Sequence, residues 1–490
     1  MERASIFTDL AETPMYRPPA PTPLAPIPAL MRALLSGRGD LLEMLPARAF
    51  QMRIGRMGFS RRGIVLVNDP KFVRQVMVDE VAAFPKNDLF VGALRPLVGD
   101  GVLISTGTAW EKQRRMIEPS FSRIHVGRAY GQMQDSVAAF EDHLDGVAER
   151  GEPLPLDAAI SRLTADIICR TIFSQSLDSG AALSVFDDFA QFQDRVANIQ
   201  PSRLILGKPW AEIRQPRTVM EACAKIRGQF RHWIEARRAD PAASGHDIAA
   251  DVLAARDPST GEGFTVEELI DQIGVFFLAG HETTATAVTW ALFILSQQPD
   301  ALARLRAEVA AAAGDGPIAL DTVKRLVFTR AVFRETLRLY PPVAFLPRVA
   351  LQATQIAGHR VPKGAMVMIA PWILHRHHDL WEWPDRFDPD RFLGQREKAI
   401  EPGSYLAFSL GPRVCIGNAF AVIEGTLILA SLLRRFSFSI DRPERVRPVV
   451  RLTTRPAGGL TARVGRLPTK TLRRETTAKP SRPAAAIPVK

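Results

Sequence analysis

The 490-residue chain predicts a mainly α-helical protein with small antiparallel β-sheets, built as a single large domain. Three observations carry that expectation. Helical periodicity dominates from roughly residue 108 to 340, where Ala-, Arg- and Glu-rich stretches such as Asp300 to Ala313 are strong helix formers. Strand-like runs are short and confined to two places, one near the start and one after Pro341. From about Ala47 to Val464 no linker, low-complexity stretch or repeat interrupts the chain, although its length would permit two or three domains.

In chain order, the first thirty residues hold seven prolines and are expected to lie extended over the surface, making 1–46 a proline-rich segment ahead of the domain. The run R-G-I-V-L-V-N-D-P (62–70) reads as a strand ending in a turn, and I-A-G-H-R-V-P-K-G-A-M-V-M-I-A (356–370) as a hairpin around Pro362 to Gly364. The domain is expected to span 47–465. Residues 466–490 carry seven Lys/Arg against one Glu, together with Pro, Ala and Thr but no aromatics, and read as a disordered basic tail.

That tail supplies +6 of the formal net charge of +11, leaving the rest of the chain about +5, so the basic balance does not point to nucleic acid. The N-terminus lacks a charged-then-apolar signal pattern, and no apolar run reaches the ~18 residues that span a bilayer. The expectation is a cytoplasmic protein without a transmembrane anchor. Three scattered thiols, Cys169, Cys223 and Cys415, make no disulfide framework.

Cys415 stands in F-S-L-G-P-R-V-C-I-G (408–417). Gly411 and Gly417 let the chain curl so that amide N–H groups point inward, Arg413 adds a positive charge, and an apolar helix begins at Asn418, so a thiolate would be stabilised there. The cysteine has no CxxC partner, which fits zinc and iron–sulfur sites poorly; a single axial thiolate on a heme needs one cysteine. The spacing of Phe408, Gly411, Arg413 and Gly417 about Cys415 has odds on the order of 10⁻⁵ at average residue usage. The loop resembles the F-x-x-G-x-R-x-C-x-G motif of the cytochrome P-450 family. By that resemblance the cofactor is heme b (iron protoporphyrin IX), Cys415 is its axial ligand, Arg413 reaches a propionate and Phe408 packs beside the sulfur.

An oxygen-handling helix is then expected, and F-F-L-A-G-H-E-T-T-A-T (276–286) is the candidate. Phe276, Ala279, Gly280 and Thr283 share one helical face, where two small residues would leave room for a diatomic ligand and a substrate. Thr283 offers a hydroxyl and Glu282 a proton source, although taken alone the hydroxyl could simply bond back to the preceding turn. A-G-H-E-T-T resembles the family's oxygen-activation motif, and the retained acid–alcohol pair implies use of O2 with external electrons. Ala279 stands where some relatives carry a glutamate esterified to the heme, so no covalent link is expected.

E-T-L-R puts Glu335 and Arg338 one turn apart; a surface ion pair would contribute little, but the helix around them is apolar and the pair is expected to be at least partly buried. The resemblance adds Arg391 of P-D-R-F as the third member of a structural triad. It also implies propionate contacts from Trp110 and Arg114 of W-E-K-Q-R, and from Arg348. H-R-H-H (375–378) has no metal-ligand spacing and is expected to be structural.

The implied function is monooxygenation of a lipophilic small molecule, such as a terpenoid, steroid or fatty acid. Electrons would come from separate partners, a ferredoxin and its reductase, and the basic tail could aid docking to an acidic partner. Pocket candidates are Phe276, Ala279, Gly280, Val343, Phe345, Leu346 and the 89–104 stretch. The alternatives are a peroxide-using or rearranging heme-thiolate enzyme and a non-catalytic heme gas sensor.

Overall fold

The computed structural model describes residues 16–35, 40–57, 62–196, 215–240, 247–314 and 316–468. Its principal helices are α1 (Pro26–Leu35), α2 (Asp88–Val98), α3 (Gly107–Ile117), α4 (Arg123–Arg150), α5 (Leu156–Phe173), α6 (Gly180–Val196), α7 (Arg217–Ala239), α8 (Val266–Ser296), α9 (Pro299–Ala313), α10 (Val327–Leu339) and α11 (Asn418–Arg435). The strands are β1 (Ile54–Met57), β2 (Ile64–Val67), β3 (Pro153–Pro155), β4 (Leu346–Val349), β5 (Thr354–Ile356), β6 (His359–Val361), β7 (Met366–Ile369), β8 (Phe436–Ile440), β9 (Pro448–Val450), β10 (Thr454–Pro456) and β11 (Thr461–Arg466).

Helix α8 is the axis of the fold. Its 31 residues start at a capping box, in which Thr265 Oγ1 accepts from the Glu268 N–H while Glu268 accepts from the Thr265 N–H. It is buried along most of its length because α2, α5, α7, α10 and α11 all pack on it. A helix hydrophobic nearly all round is stable only inside such a bundle. No helix among the described residues is long and apolar enough to cross a membrane.

The sheets are small, as expected, and mostly antiparallel, in the orders β1-β2-β7-β4, β3-β11-β8, β5-β6 and β9-β10. The β2–β7 pair is parallel, with Val65 opposite Val367, which is possible because nearly three hundred residues of chain lie between the two strands. Two expectations need correction. The hairpin turn lies at Ala357–Gly358, between β5 and β6, while Pro362–Gly364 carries the chain on to β7 in another sheet. The proline-rich start is not wholly extended either. Pro26 and Pro28 fall in the first turn of α1, where the missing N–H groups cost nothing.

Upstream of α1 the chain is extended and tied down: Tyr340 donates to Pro19 O at 2.7 Å and the Phe387 N–H to Tyr16 O at 3.2 Å. At the other end Arg466, read as tail, closes β11 and pairs with Asp145 at 2.6 Å and Glu149 at 2.8 Å. Residues 1–15 and 469–490, and with them most of the expected tail, lie outside the described residues.

Candidate functional site

The cysteine loop runs into the N-terminus of α11. Gly411 has φ +73°, and a Cβ there would lie 2.5 Å from Met77 O and 2.9 Å from Val78 Cγ2, so only glycine fits. Gly417 differs from expectation: its φ of −87° is open to any residue, and its place matters because it lies against the sulfur. The Cys415 N–H donates to Phe408 O at 2.9 Å, closing the loop, and Phe408 is half-buried beside it. Enclosure by the protein pushes the Cys415 thiol up, while the Gly417 N–H and the Arg114 charge pull it down. Cys169 and Cys223 are buried in the helical core, where burial, joined at Cys169 by the Asp166 charge, drives both to about 12. Only Cys415 presents its side chain to an open space.

Cations gather around that space. Arg413 donates to Ser105 O at 2.9 Å and lies over the Trp110 ring at 3.9 Å. Arg114 donates to Val414 O at 2.9 Å, so α3 is latched to the residue preceding the cysteine, and it also pairs with Glu118 at 3.2 Å. Arg348, on β4, is buried and donates to Pro347 O at 3.2 Å. Lys86, which sequence reasoning missed, is enclosed between Arg348 and Arg413 and donates to Leu103 O. Burial holds Arg348 and Arg413 at about 10, and burial with both arginines pushes Lys86 far down. Among the described residues none of these three cations has a carboxylate within ion-pair distance. Enclosing three such charges together costs several kcal/mol unless an anion joins them.

Helix α8 is solvent-open at Ala279 and partly open at Gly280 and Thr283, although it is buried before and after. Gly280 corrects an expectation. A Cβ there would meet Ile168 Cδ1 at 2.4 Å, so the glycine admits α5 to close packing, and the room on the open side comes from Ala279. Thr283 Oγ1 donates to Ala279 O at 2.7 Å. Glu282 is buried and turned away from Thr283, accepting from Thr453 at 2.6 Å and Arg455 at 2.9 Å. Phe276 meets Phe121 edge to face at 5.1 Å. Phe345 and Leu346 are half-buried and Val343 is exposed.

The family model described as Cytochrome P450 matches residues 19–461. The chain belongs to the cytochrome P450 family. It is 32% identical over 445 residues to the cyclooctatin synthase of Streptomyces melanosporofaciens, covering 89% of this chain and 92% of that enzyme. It is 30% identical to cyclooctat-9-en-7-ol 5-monooxygenase of the same organism, covering 86% of each. The solved heme domain of cytochrome P450DA superposes with a TM-score of 0.75 at 27% identity, covering 84% of this chain and 89% of that one. This P450 is thus an oxidoreductase of the monooxygenase type, and the family's cofactor is heme with a cysteine thiolate ligand.

The residues present fit that group. A lone cysteine in a closed loop faces an open space, and Lys86, Arg348 and Arg413, which lack counter-carboxylates among the described residues, suit two propionates.

The triad is the loop's foundation. Glu335 takes two bonds from Arg338, each 2.7 Å, one from the Asp388 N–H at 2.9 Å, and an ionic contact from Arg391 at 3.5 Å. Arg338 also donates to the carbonyls of His375, Pro384 and Arg386. His375 Nδ1–H donates to Arg338 O at 3.0 Å, so its Nε2 is free to accept the Leu406 N–H at 2.8 Å, two residues before Phe408. Burial and the Arg338 charge hold His375 neutral, at about 3. His375 thus ties two backbone segments together, and no cluster of three metal-ligating groups occurs among the described residues.

Sequence reasoning also missed Thr453, Arg455 and Glu424. Glu424 is the single charge in the apolar run A-F-A-V-I-E-G-T-L, a signal that was available. Lys86 had none, since a lone lysine before a helix looks like surface.

Proposed function

We propose that this P450 inserts one oxygen atom from O2 into a C–H bond of a lipophilic, terpenoid-like molecule, with electrons from a separate ferredoxin and its reductase. The observation that carries the reading is the pairing of one open cysteine with three cations, Lys86, Arg348 and Arg413, that lack carboxylate partners among the described residues. Cys415 would hold the iron, while Arg413, Arg348, Lys86 and Arg114 would take the propionates, with Trp110 stacked under Arg413. When bound, a heme with a thiolate ligand supplies O2 activation and favours O–O cleavage.

The chain's own residues bind, orient and supply protons. Phe276, Ala279, Val343, Phe345 and Leu346 line the substrate side with apolar surface that orients by shape and excludes water. Thr283 presents its hydroxyl at the open stretch of α8, and Glu282, one residue away, is the proton source behind it. Of the lipophilic classes, the terpenoid-like one is supported by the Streptomyces relative named for oxidising the cyclic alkenol cyclooctat-9-en-7-ol.

The test is the CO-bound minus reduced difference spectrum of wild type beside Cys415→His. A far-red-shifted Soret band, lost in the variant, is expected. A histidine-type spectrum or no heme in the wild type overturns the assignment.

A further inference from the structure

Ser122 occupies the N-cap of α4 but caps nothing: its Oγ takes no bond from the first-turn N–H groups. Nor does S-R-I-H close a capping box, in which the fourth side chain reaches back to the serine N–H. That N–H is already given to Pro119 O at 3.1 Å. The hydroxyl is turned instead to the His125 ring, with Oγ 2.7 Å from Nδ1. The other ring nitrogen, Nε2, lies 3.3 Å from Asp251 Oδ2.

Asp251 comes from the short helix Ile248–Ala254, which packs on the turn Glu118–Phe121 just before α4. That helix is tied at both ends. Asp247 accepts from the Ala250 N–H at 2.9 Å, and Asp257 pairs with Arg115 of α3 at 3.4 Å. A carboxylate only accepts, so Asp251 fixes the ring proton on Nε2 and leaves Nδ1 as an acceptor, to which the serine hydroxyl donates. This is the tautomer that a general base needs. The two ring nitrogens have exchanged their usual places, which the chemistry permits because either can take the proton. The set meets the requirement for an activated nucleophile: a base within hydrogen-bond reach, itself oriented by a third group. It is also accessible, since the His125 and Asp251 side chains are 25% and 30% exposed. Ile124, two residues from the hydroxyl, is 70% exposed and offers an apolar surface.

We propose that Ser122, His125 and Asp251 are a second catalytic site, independent of heme, that hydrolyses esters of short apolar carboxylic acids. Ser122 Oγ bonds to the ester carbonyl carbon as its proton passes to His125 Nδ1. The carbonyl oxygen becomes an oxyanion beside the uncapped first-turn N–H groups of α4. The bond to the alcohol then breaks, and His125 returns the proton to the departing oxygen. Water, giving a proton to His125, attacks the acyl-serine; the carboxylic acid leaves and Ser122 recovers its hydrogen. Asp251 is a positioning residue that acts through His125.

The test uses full-length, heme-loaded protein and an alkyl fluorophosphonate, which phosphonylates an activated serine with loss of fluoride and so reports on the serine, not the heme. Mass spectrometry is expected to place the adduct on Ser122 and none on its buried neighbour Ser120. The labelling rate should fall about 100-fold in His125→Gln, the lower end of a general base's contribution. In Asp251→Asn it should fall roughly threefold to fivefold, the weight of a part-exposed ion pair. Asp251→Glu, which keeps the carboxylate, should recover most of it. Hydrolysis of p-nitrophenyl butyrate should follow the same order and vanish in Ser122→Ala. Heme content and the CO difference spectrum should remain those of wild type throughout.

An unlabelled Ser122 in the wild type overturns the proposal, as does an adduct that forms equally fast in His125→Gln. Butyrate ester hydrolysis that persists at the wild-type rate in Ser122→Ala does the same. If Ser122→Ala does not fold, the part-exposed Asp251→Asn decides, and labelling there at the wild-type rate overturns the triad.

Discussion

Removing the Glu335 carboxylate should cost this P450 its heme, although the residue lies in a different element from the cysteine loop. Glu335 is fully buried and receives two charge-assisted bonds from Arg338, the Asp388 N–H and the Arg391 contact. In Glu335→Ala two guanidinium groups remain enclosed without their anion, a loss of about 3–5 kcal/mol when one partner of a buried pair is removed. The orphaned Asp388 N–H adds ~1 kcal/mol or more. The total, about 5 kcal/mol, is comparable with the whole stability of many domains. It acts on the loop through a continuous chain: Arg338 holds His375, His375 holds Leu406, and two residues on Phe408 O holds the Cys415 N–H.

Heme per polypeptide and the urea midpoint measure the effect. The control is Glu397→Ala, which breaks the exposed Arg334–Glu397 pair and should cost less than ~1 kcal/mol. Full heme content in Glu335→Ala, or a destabilisation no larger than the control's, would refute the reasoning.

Two further outcomes are expected. Lys86→Met removes one of three crowded cations, so the heme-free protein should become more stable while the heme is lost faster to an acceptor globin. The size is about 10-fold to 100-fold, one charge-assisted bond; an unchanged loss rate would remove Lys86 from the propionate site. Glu424, buried on α11, is raised from 4.5 to about 8 by desolvation, only partly offset by Thr284. The folded protein therefore holds this proton more tightly than the unfolded chain, and its contribution falls as pH rises from about 4.5 to about 8, then levels off. Glu424→Gln should abolish that slope and be about 3–5 kcal/mol more stable than wild type at pH 8. Parallel stability–pH curves for the two proteins would show that the carboxyl is not strained.

Much of the site was legible because its chemistry depends on local spacing. The positions of Phe408, Gly411 and Arg413 relative to Cys415 specify a loop whose curl and closing hydrogen bond span eight residues, and Gly411 is required there both by its left-handed backbone and because no Cβ fits beside Met77. The Glu335–Arg338 pair was equally readable, since the two meet one turn apart on an apolar helix, whereas Arg391 came only from the family resemblance. Where the reading slipped, an observation from elsewhere in the chain was needed. Gly280 looked like room for a ligand until Ile168 of α5 was found filling it. The hairpin was placed at a Pro-Lys-Gly turn signal, yet strand pairing chose Ala357–Gly358 and sent β7 to a parallel partner 302 residues earlier in register, Val65 opposite Val367.

The sequence by itself determined the fold class, the cysteine loop and the placing of Glu282 beside Thr283 on the central helix, because periodicity and short motifs act over one or two turns. Only the tertiary structure decided how charge is compensated. Lys86 joins Arg348 and Arg413, and Arg455 takes hold of Glu282 across 173 residues. A charge's partner is fixed by where the chain returns and by what burial removes from water, and neither is written in the residues beside it.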